Sequence, residues 1–144
     1  MPTYRERLWP PLSWAVITVA FAVLVAVSFQ EQLALLVGLP VVGLLALVAL
    51  SRDVLTVRDD VLHVPGARAP LTAFGPAEVL DRTQLRERLG IRAQRDAWVQ
   101  VKPWSRKGVL LPVVDPEDDT PYWLLGTRRP HDLAVALARF PEAL

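Results

Sequence analysis

Basic side chains that could bind an anionic group concentrate in two short stretches of the chain. KPWSRKG combines ammonium and guanidinium groups with an indole, and TRR follows later. Close to a membrane surface, each such residue adds about 1 kcal/mol of attraction to anionic lipid. The alternative is an ordinary charged hairpin tip. The candidate binding residues for a protein partner or an anionic lipid headgroup are Lys102, Trp104, Arg106, Lys107, Arg128 and Arg129.

The stretch DPEDDTPYW brings four carboxylates together: Asp115, Glu117, Asp118 and Asp119. Divalent cations such as Ca²⁺ prefer several carboxylate oxygens, so a metal-dependent enzyme is one hypothesis. The spacing does not match the twelve-residue EF-hand loop. A solvated turn fixed by its prolines fits the same residues better, so the sequence predicts no metal and no cofactor.

Other catalytic signatures are missing from the sequence. The chain of 144 residues has no cysteine, which excludes disulfides, thiolate zinc sites and cysteine nucleophiles. It has no G-x-S-x-G stretch and no glycine-rich phosphate loop. Its two histidines, His63 and His131, are expected at the surface. The sequence therefore names no catalytic residue and favours a non-enzymatic function.

Short alternating apolar runs in the C-terminal part predict the strands that would position these residues. The runs 54–57 and 61–64 predict a hairpin, 71–80 an interrupted strand, and 97–104 a hairpin with 108–115. A last strand is expected over 121–127. Asp81 and Gln84 resemble a capping box before a short helix that Gly90 ends, and Pro130 precedes a closing helix over 131–140. This pattern predicts a small antiparallel barrel or sheet like that of pleckstrin-homology domains, closed by the C-terminal helix.

Two uncharged apolar runs precede this body, over residues 12–29 and 33–50. Each has a length near that of a membrane-spanning helix, and together they predict a transmembrane hairpin. Arg5, Arg7, Arg52 and Arg58 flank the hairpin, whereas the link QEQ has no basic residue. The excess of positive charge predicts that both termini are cytoplasmic and that the protein lies in the plasma membrane.

The expected organisation is an α+β membrane protein with a hairpin over 1–52 and a cytoplasmic domain over 53–144. From Asp53 onward, thirteen basic residues balance thirteen acidic residues. Such a domain has no overall field to attract nucleic acid, so no nucleic-acid partner is expected.

Three segments resemble an actinobacterial membrane-protein family known as domain of unknown function 3093. They are YRERLWPPLSW (4–14), VLTVRDDVLHVPGARAPL (54–71) and VKPWSRKGVLLPVVDPEDDTPYWLLGTRRPHDLAVAL (101–137). The resemblance implies two N-terminal membrane helices and a cytoplasmic tail. It implies no activity and no catalytic residue.

The function expected from the sequence is that of a membrane-tethered interaction module without enzymatic activity, which binds a protein partner or anionic lipid. A metal-dependent enzyme that uses residues 115–119 is the first alternative. The second is a structural subunit whose hairpin packs within a larger membrane complex through Gly38 and Gly43.

Overall fold

The chain forms two compact units, and its first strand belongs to the C-terminal one. The computed structural model describes residues 4–28 and 33–138. One unit comprises Met1–Leu8 and Val54–Leu144, and the other comprises Trp9–Asp53. The N-terminal strand, which the sequence did not predict, therefore joins the β-rich body, and the helical unit is an insertion within it.

Eight strands and four α-helices make up the described residues, so the α+β class is confirmed. The strands are β1 (Tyr4–Arg7), β2 (Val54–Arg58), β3 (Val61–Val64), β4 (Ala67–Pro70), β5 (Glu78–Leu80), β6 (Trp98–Gln100), β7 (Gly108–Pro112) and β8 (Tyr122–Gly126). The helices are α1 (Leu12–Ser28), α2 (Leu33–Leu50), α3 (Arg82–Leu89) and α4 (Pro130–Ala138), with a 3₁₀ turn at Leu71–Ala73.

The first sheet has the order β1-β2-β3-β4, and every neighbouring pair is antiparallel. Asp59 and Asp60 join β2 to β3 with φ values of 50° and 62°. Positive φ at both central residues is typical of the type I′ turn, whose twist matches that of a hairpin. The predicted hairpin is therefore confirmed. Gly66 (φ 85°) turns the chain into β4, a strand that the sequence did not predict.

The second sheet has the order β5-β7-β8-β6, and its central strands are apolar on both faces. Val109, Leu110 and Leu111 are all buried, as are Trp123 and Leu124. A strand that is covered on both sides has a continuous apolar sequence rather than an alternating one. The predicted strand over 121–127 is confirmed as β8.

The predicted hairpin between 97–104 and 108–115 is wrong. β6 pairs with β8 in parallel, and β8 lies between β6 and β7. Residues 101–107 therefore form a connection across the sheet rather than a hairpin tip. The body therefore has two four-stranded sheets with one parallel pair, whereas a single antiparallel barrel or sheet was predicted.

Two hydrophobic clusters stabilise the body. One is contributed by both sheets and by Leu133 of α4, with Leu55, Leu62, Leu111 and Leu125 at its centre. The other lies on the opposite face of the second sheet, where α3 inserts Leu85; its other members are Leu80, Leu110, Tyr122 and Leu124. α3 thus packs against one face of the second sheet through Leu85, and α4 packs against the other cluster through Leu133 and Leu137.

The short helices begin where local signals predict. The Asp81 carboxylate accepts hydrogen bonds from the backbone N–H groups of Thr83 and Gln84, and the Gln84 side chain accepts one from the Asp81 N–H. The capping box is therefore confirmed, and Gly90 ends α3 as predicted. Pro130 is the first residue of α4; of the predicted helix, Arg139 and Phe140 lie outside the described residues.

The helical unit packs through small residues. Ala22 and Ala26 are the buried residues of α1, and a Cβ added to Gly43 of α2 would lie 2.6 Å from the Thr18 methyl carbon. Thr18 also donates a hydrogen bond to the Trp14 carbonyl at 2.8 Å. Larger apolar side chains such as Phe21 and Leu24 are exposed.

The predicted transmembrane hairpin is contradicted by the lengths and composition of the helices. Across 4–28 and 33–138, none of the helices combines the length and the apolarity that crossing a membrane requires. α1 has 17 residues, which at a rise of about 1.5 Å gives about 26 Å, less than a hydrocarbon core of about 30 Å. α2 has 18 residues and contains Pro40. Phe29, the expected end of the first span, lies outside the described residues.

The predictions that required a membrane-spanning hairpin are wrong as well. The membrane class and a two-helix location in the plasma membrane with cytoplasmic termini both required spanning helices, which the described residues do not contain.

Candidate functional site: an arginine cleft around a buried glutamate

β1 presents its charged residues on two faces. Glu6 is 9% exposed, whereas Arg5 and Arg7 on either side are exposed. In a strand, successive side chains point to opposite faces, so the register that places Glu6 opposite Leu55 directs its carboxylate inward. A buried carboxylate needs hydrogen-bond donors, because an unpaired charge in the interior is costly.

Those donors come from the turn between β8 and α4. The Glu6 carboxylate accepts a hydrogen bond from the Thr127 hydroxyl and one from the Arg128 backbone N–H at 2.9 Å. Tyr4 donates its phenolic hydrogen to the same carboxylate at 2.6 Å. Thr127 is itself buried and accepts a hydrogen bond from the Arg129 N–H at 3.0 Å. Two segments far apart in sequence are thus joined through one side chain.

Tyr4 is held in its neutral form by this arrangement. Burial, followed by the hydrogen bond to Glu6, raises the pKa of the Tyr4 phenol far above its ordinary value. Ionisation would bury a charged phenolate away from water and next to the carboxylate, and both effects favour the neutral phenol.

Four arginines line a cleft next to this network. A cleft of about 180 Å³ is lined by Arg5, Glu6, Arg7, Arg128 and Arg129. Four positive groups against one negative group give the lining a formal charge of +3. Guanidinium forks match the geometry of carboxylates and phosphates, so this lining, here called the arginine cleft, is suited to an oxoanion.

The arginine cleft contains only part of the basic set predicted from the sequence. Arg128 and Arg129 line it, but Lys102, Trp104 and Arg106 are not among its lining residues. Lys102 and Trp104 are half-buried in the connection between β6 and β7. Lys107 lies next to the turn through its backbone, since its carbonyl accepts a hydrogen bond from the Thr127 N–H at 3.1 Å.

Sequence reasoning missed the residues contributed by β1. Arg5 and Arg7 were assigned to the flank of an apolar run, and Glu6 was given no role. The available signal was the alternation of Tyr4, Glu6 and Leu8 with the two arginines, which is the period of a strand.

The acidic stretch forms turns on the surface. The Asp115 carboxylate accepts a hydrogen bond from the Glu117 N–H at 3.0 Å, and the Asp118 carboxylate accepts one from the Thr120 N–H at 2.9 Å. Hydrogen bonds from Thr120 lower the pKa of Asp118. Asp115, Glu117, Asp118 and Asp119 are all exposed. Within the ranges that the structure covers, no group of three histidine or acidic side chains could hold a metal ion.

A second cavity, of about 560 Å³, lies beside α4. Its walls are mostly apolar and include Leu71, Phe74, Leu111 and Val135, while His131 is its one ionisable lining residue. Phe74 and Trp123 meet edge to face with centroids 5.0 Å apart, and Trp98 lies 5.8 Å from Trp123. These aromatic rings pack on one another within the body.

Comparison with known proteins identifies one family. The family model described as "Protein of unknown function (DUF3093)" matches residues 3–137, which is nearly the whole chain and includes every residue of the arginine cleft. No curated protein and no solved structure matches the chain.

Proposed function

Because the chain belongs to this family, whose description assigns no activity, we propose a function from the geometry of the site. The protein is a non-enzymatic binding module that holds an oxoanion group in the arginine cleft. The observation that supports this proposal is the convergence of Arg5, Arg7, Arg128 and Arg129 on one cleft of about 180 Å³.

Backbone hydrogen bonds hold the main chain of the four arginines in place. Such an ordered arrangement supports a binding site rather than surface charge without a function. Arg5 and Arg7 lie two residues apart on a paired strand. Arg128 and Arg129 are fixed through backbone hydrogen bonds to Glu6 and to Thr127. Binding a ligand to groups whose backbone is already ordered costs less conformational entropy than ordering a loop.

The side chains that line the cleft are suited to binding a ligand rather than to cleaving a bond in it. The lining consists of four guanidinium groups and one carboxylate, and the carboxylate is already occupied by three donors. None of these lining groups is a hydroxyl, thiol or imidazole nucleophile of the kind used for covalent catalysis.

The decisive experiment measures oxoanion binding by isothermal titration calorimetry on the full chain, with inorganic phosphate as the probe. The variant Arg5→Gln/Arg129→Gln should weaken binding by at least about tenfold, because two charge-assisted contacts are removed. Arg106→Gln/Lys107→Gln, which removes the same formal charge outside the cleft lining, should change affinity less than about twofold. Equal losses in both variants, or no binding by the wild type, would contradict the proposal.

The same group could be presented by a partner protein or by a lipid headgroup. A synthetic phosphopeptide and vesicles that contain an anionic phospholipid, each tested against the same two variants, separate these sources. The source that binds the wild type and loses affinity in the cleft variant alone is the one that the cleft recognises.

A further inference from the structure

Glu6 is the one acidic group in the lining of the arginine cleft. A site meant only to attract negative charge would not place a carboxylate among its arginines, because like charges repel at close range. Part of the role of Glu6 is structural, since it joins β1 to the turn before α4. Its presence in the lining also affects which ligand the cleft can accept.

The hydrogen bonds of Glu6 leave room for one more donor. A carboxylate offers about four lone-pair positions. Oε2 accepts hydrogen bonds from Tyr4 and Thr127, and Oε1 accepts one from the Arg128 N–H. The remaining position is on Oε1, and Glu6 is part of the cleft lining.

We propose that Glu6 determines specificity in the arginine cleft by accepting a hydrogen bond from an oxoanion that still carries an acidic proton, so that hydrogen phosphate is bound in preference to sulfate. This inference rests on the proposed function. Hydrogen phosphate presents both acceptor oxygens for guanidinium groups and a P–OH donor for Oε1.

Sulfate is the informative competitor because it has a similar tetrahedral shape and carries no proton at neutral pH. Bound in the same place, it would set an oxygen against the Glu6 carboxylate with no hydrogen between them. A site that hydrogen-bonds a ligand hydroxyl rejects an analogue without it, because a buried polar group of the site is then left unpaired.

The test compares inorganic phosphate and sulfate by calorimetry on the full-length chain near pH 7 and at constant ionic strength. The wild type should bind phosphate at least about tenfold more tightly than sulfate. This comparison needs no variant, so it does not depend on the folding of any mutant.

Glu6→Gln then tests the carboxylate directly. Its amide oxygen can accept the hydrogen bond from Arg128, and its NH₂ can donate to the hydroxyls of Tyr4 and Thr127, so the network is retained. Because the negative charge is gone, sulfate should gain affinity and the preference should fall below about threefold. Tyr4→Phe removes a neighbour of Glu6 without changing its carboxylate and should keep the wild-type preference.

The possible outcomes distinguish a failure of the role of Glu6 from a failure of the proposed function. Binding of both anions with equal affinity by the wild type, or an unchanged preference in Glu6→Gln, would overturn the role of Glu6 while leaving the oxoanion site intact. Absence of binding for both anions would overturn the proposed function, and this inference would fall with it.

Discussion

The Glu6 carboxylate in β1 accepts a hydrogen bond at 2.9 Å from the backbone N–H of Arg128, which lies 122 positions further along the chain. Through this contact, the first described strand holds the turn that begins the last helix. Glu6 also lines the arginine cleft, so the residue that joins the two segments belongs to the candidate site as well.

Replacing Glu6 by alanine should therefore destabilise the body. The substitution leaves the Thr127 hydroxyl and the Arg128 N–H without their acceptor, and hydrogen bonds to a charged group are worth about 1.5–3 kcal/mol each. We expect a loss of about 2–4 kcal/mol in the free energy of unfolding, measured by urea denaturation with tryptophan fluorescence. Glu6→Gln should lose less than about 1 kcal/mol. An alanine variant as stable as the wild type would show that the network contributes nothing.

The neutral state of Tyr4 predicts a loss of stability at alkaline pH. Burial and the hydrogen bond to Glu6 raise its pKa in the folded chain, whereas the unfolded phenol ionises near pH ~10. Only the unfolded state then loses a proton as the pH rises, so this contribution is complete below about pH 10 and decreases above it. Urea midpoints measured from about pH 9 to about pH 11.5 should fall more steeply for the wild type than for Tyr4→Phe. Parallel curves would refute this reasoning.

The thermal stability of the helical unit should decrease when one methyl group is added at Gly43. Gly43→Ala would bring its Cβ to 2.6 Å from the Thr18 methyl carbon, and the hydrogen bond from Thr18 to the Trp14 carbonyl holds that side chain in place. We expect Gly43→Ala to lower the thermal midpoint of the helical circular-dichroism signal. Gly38→Ala should not lower it, because nothing lies within 4 Å of a Cβ at that position.

Thr18→Ser provides the matched rescue for this prediction. Serine lacks the obstructing methyl group but keeps the hydroxyl that bonds to Trp14. The double variant Thr18→Ser/Gly43→Ala should recover most of the lost stability. If the double variant melts like Gly43→Ala alone, the Thr18 contact is not the cause.

The turn between β2 and β3 offers a stabilising change. Asp60 has φ 62°, a conformation that glycine adopts without a steric penalty. Asp60→Gly should raise the free energy of unfolding by about 0.5–1 kcal/mol, measured by urea denaturation, while the Arg58–Asp59 contact is retained. Asp119→Gly, at an exposed position outside the positive-φ region, serves as the control and should give no such gain.

Elements whose signals are local were predictable from the sequence. The Asp-Asp turn of the β2–β3 hairpin, the Asp81–Gln84 capping box and Pro130 at the start of α4 each depend on residues within four positions of one another. Hydrogen bonds over such distances are encoded by residue type and spacing alone.

Elements that depend on distant partners were not predictable in the same way. β6 has three residues and finds its place by parallel pairing with β8, which the sequence places after β7. β1 pairs with β2, and the whole helical unit separates these two strands in the sequence. Alternation within each segment indicates a strand but not its partner, because a parallel or long-range ladder is specified by the sheet as a whole.

In the candidate site, too, some residues were predictable from local sequence and others were not. Arg128 and Arg129 were named from the sequence because two adjacent arginines follow a strand. Arg5, Glu6 and Arg7 enter the site only because β1 lies beside the β8–α4 turn. Apolar composition likewise located both helices, and α2 has the predicted bounds 33–50, but the membrane-spanning role inferred from these runs is wrong.

The pairing of Arg7 with Val54 has a consequence for how this chain can be shortened. Facing residues of an antiparallel pair have Cα atoms only about 4.5–5.5 Å apart, so the polypeptide leaves and re-enters the sheet almost at one point. A tight glycine-containing linker could close that gap in place of everything between the two strands. The resulting miniature would keep β1 in its register, and with it all five residues that line the arginine cleft.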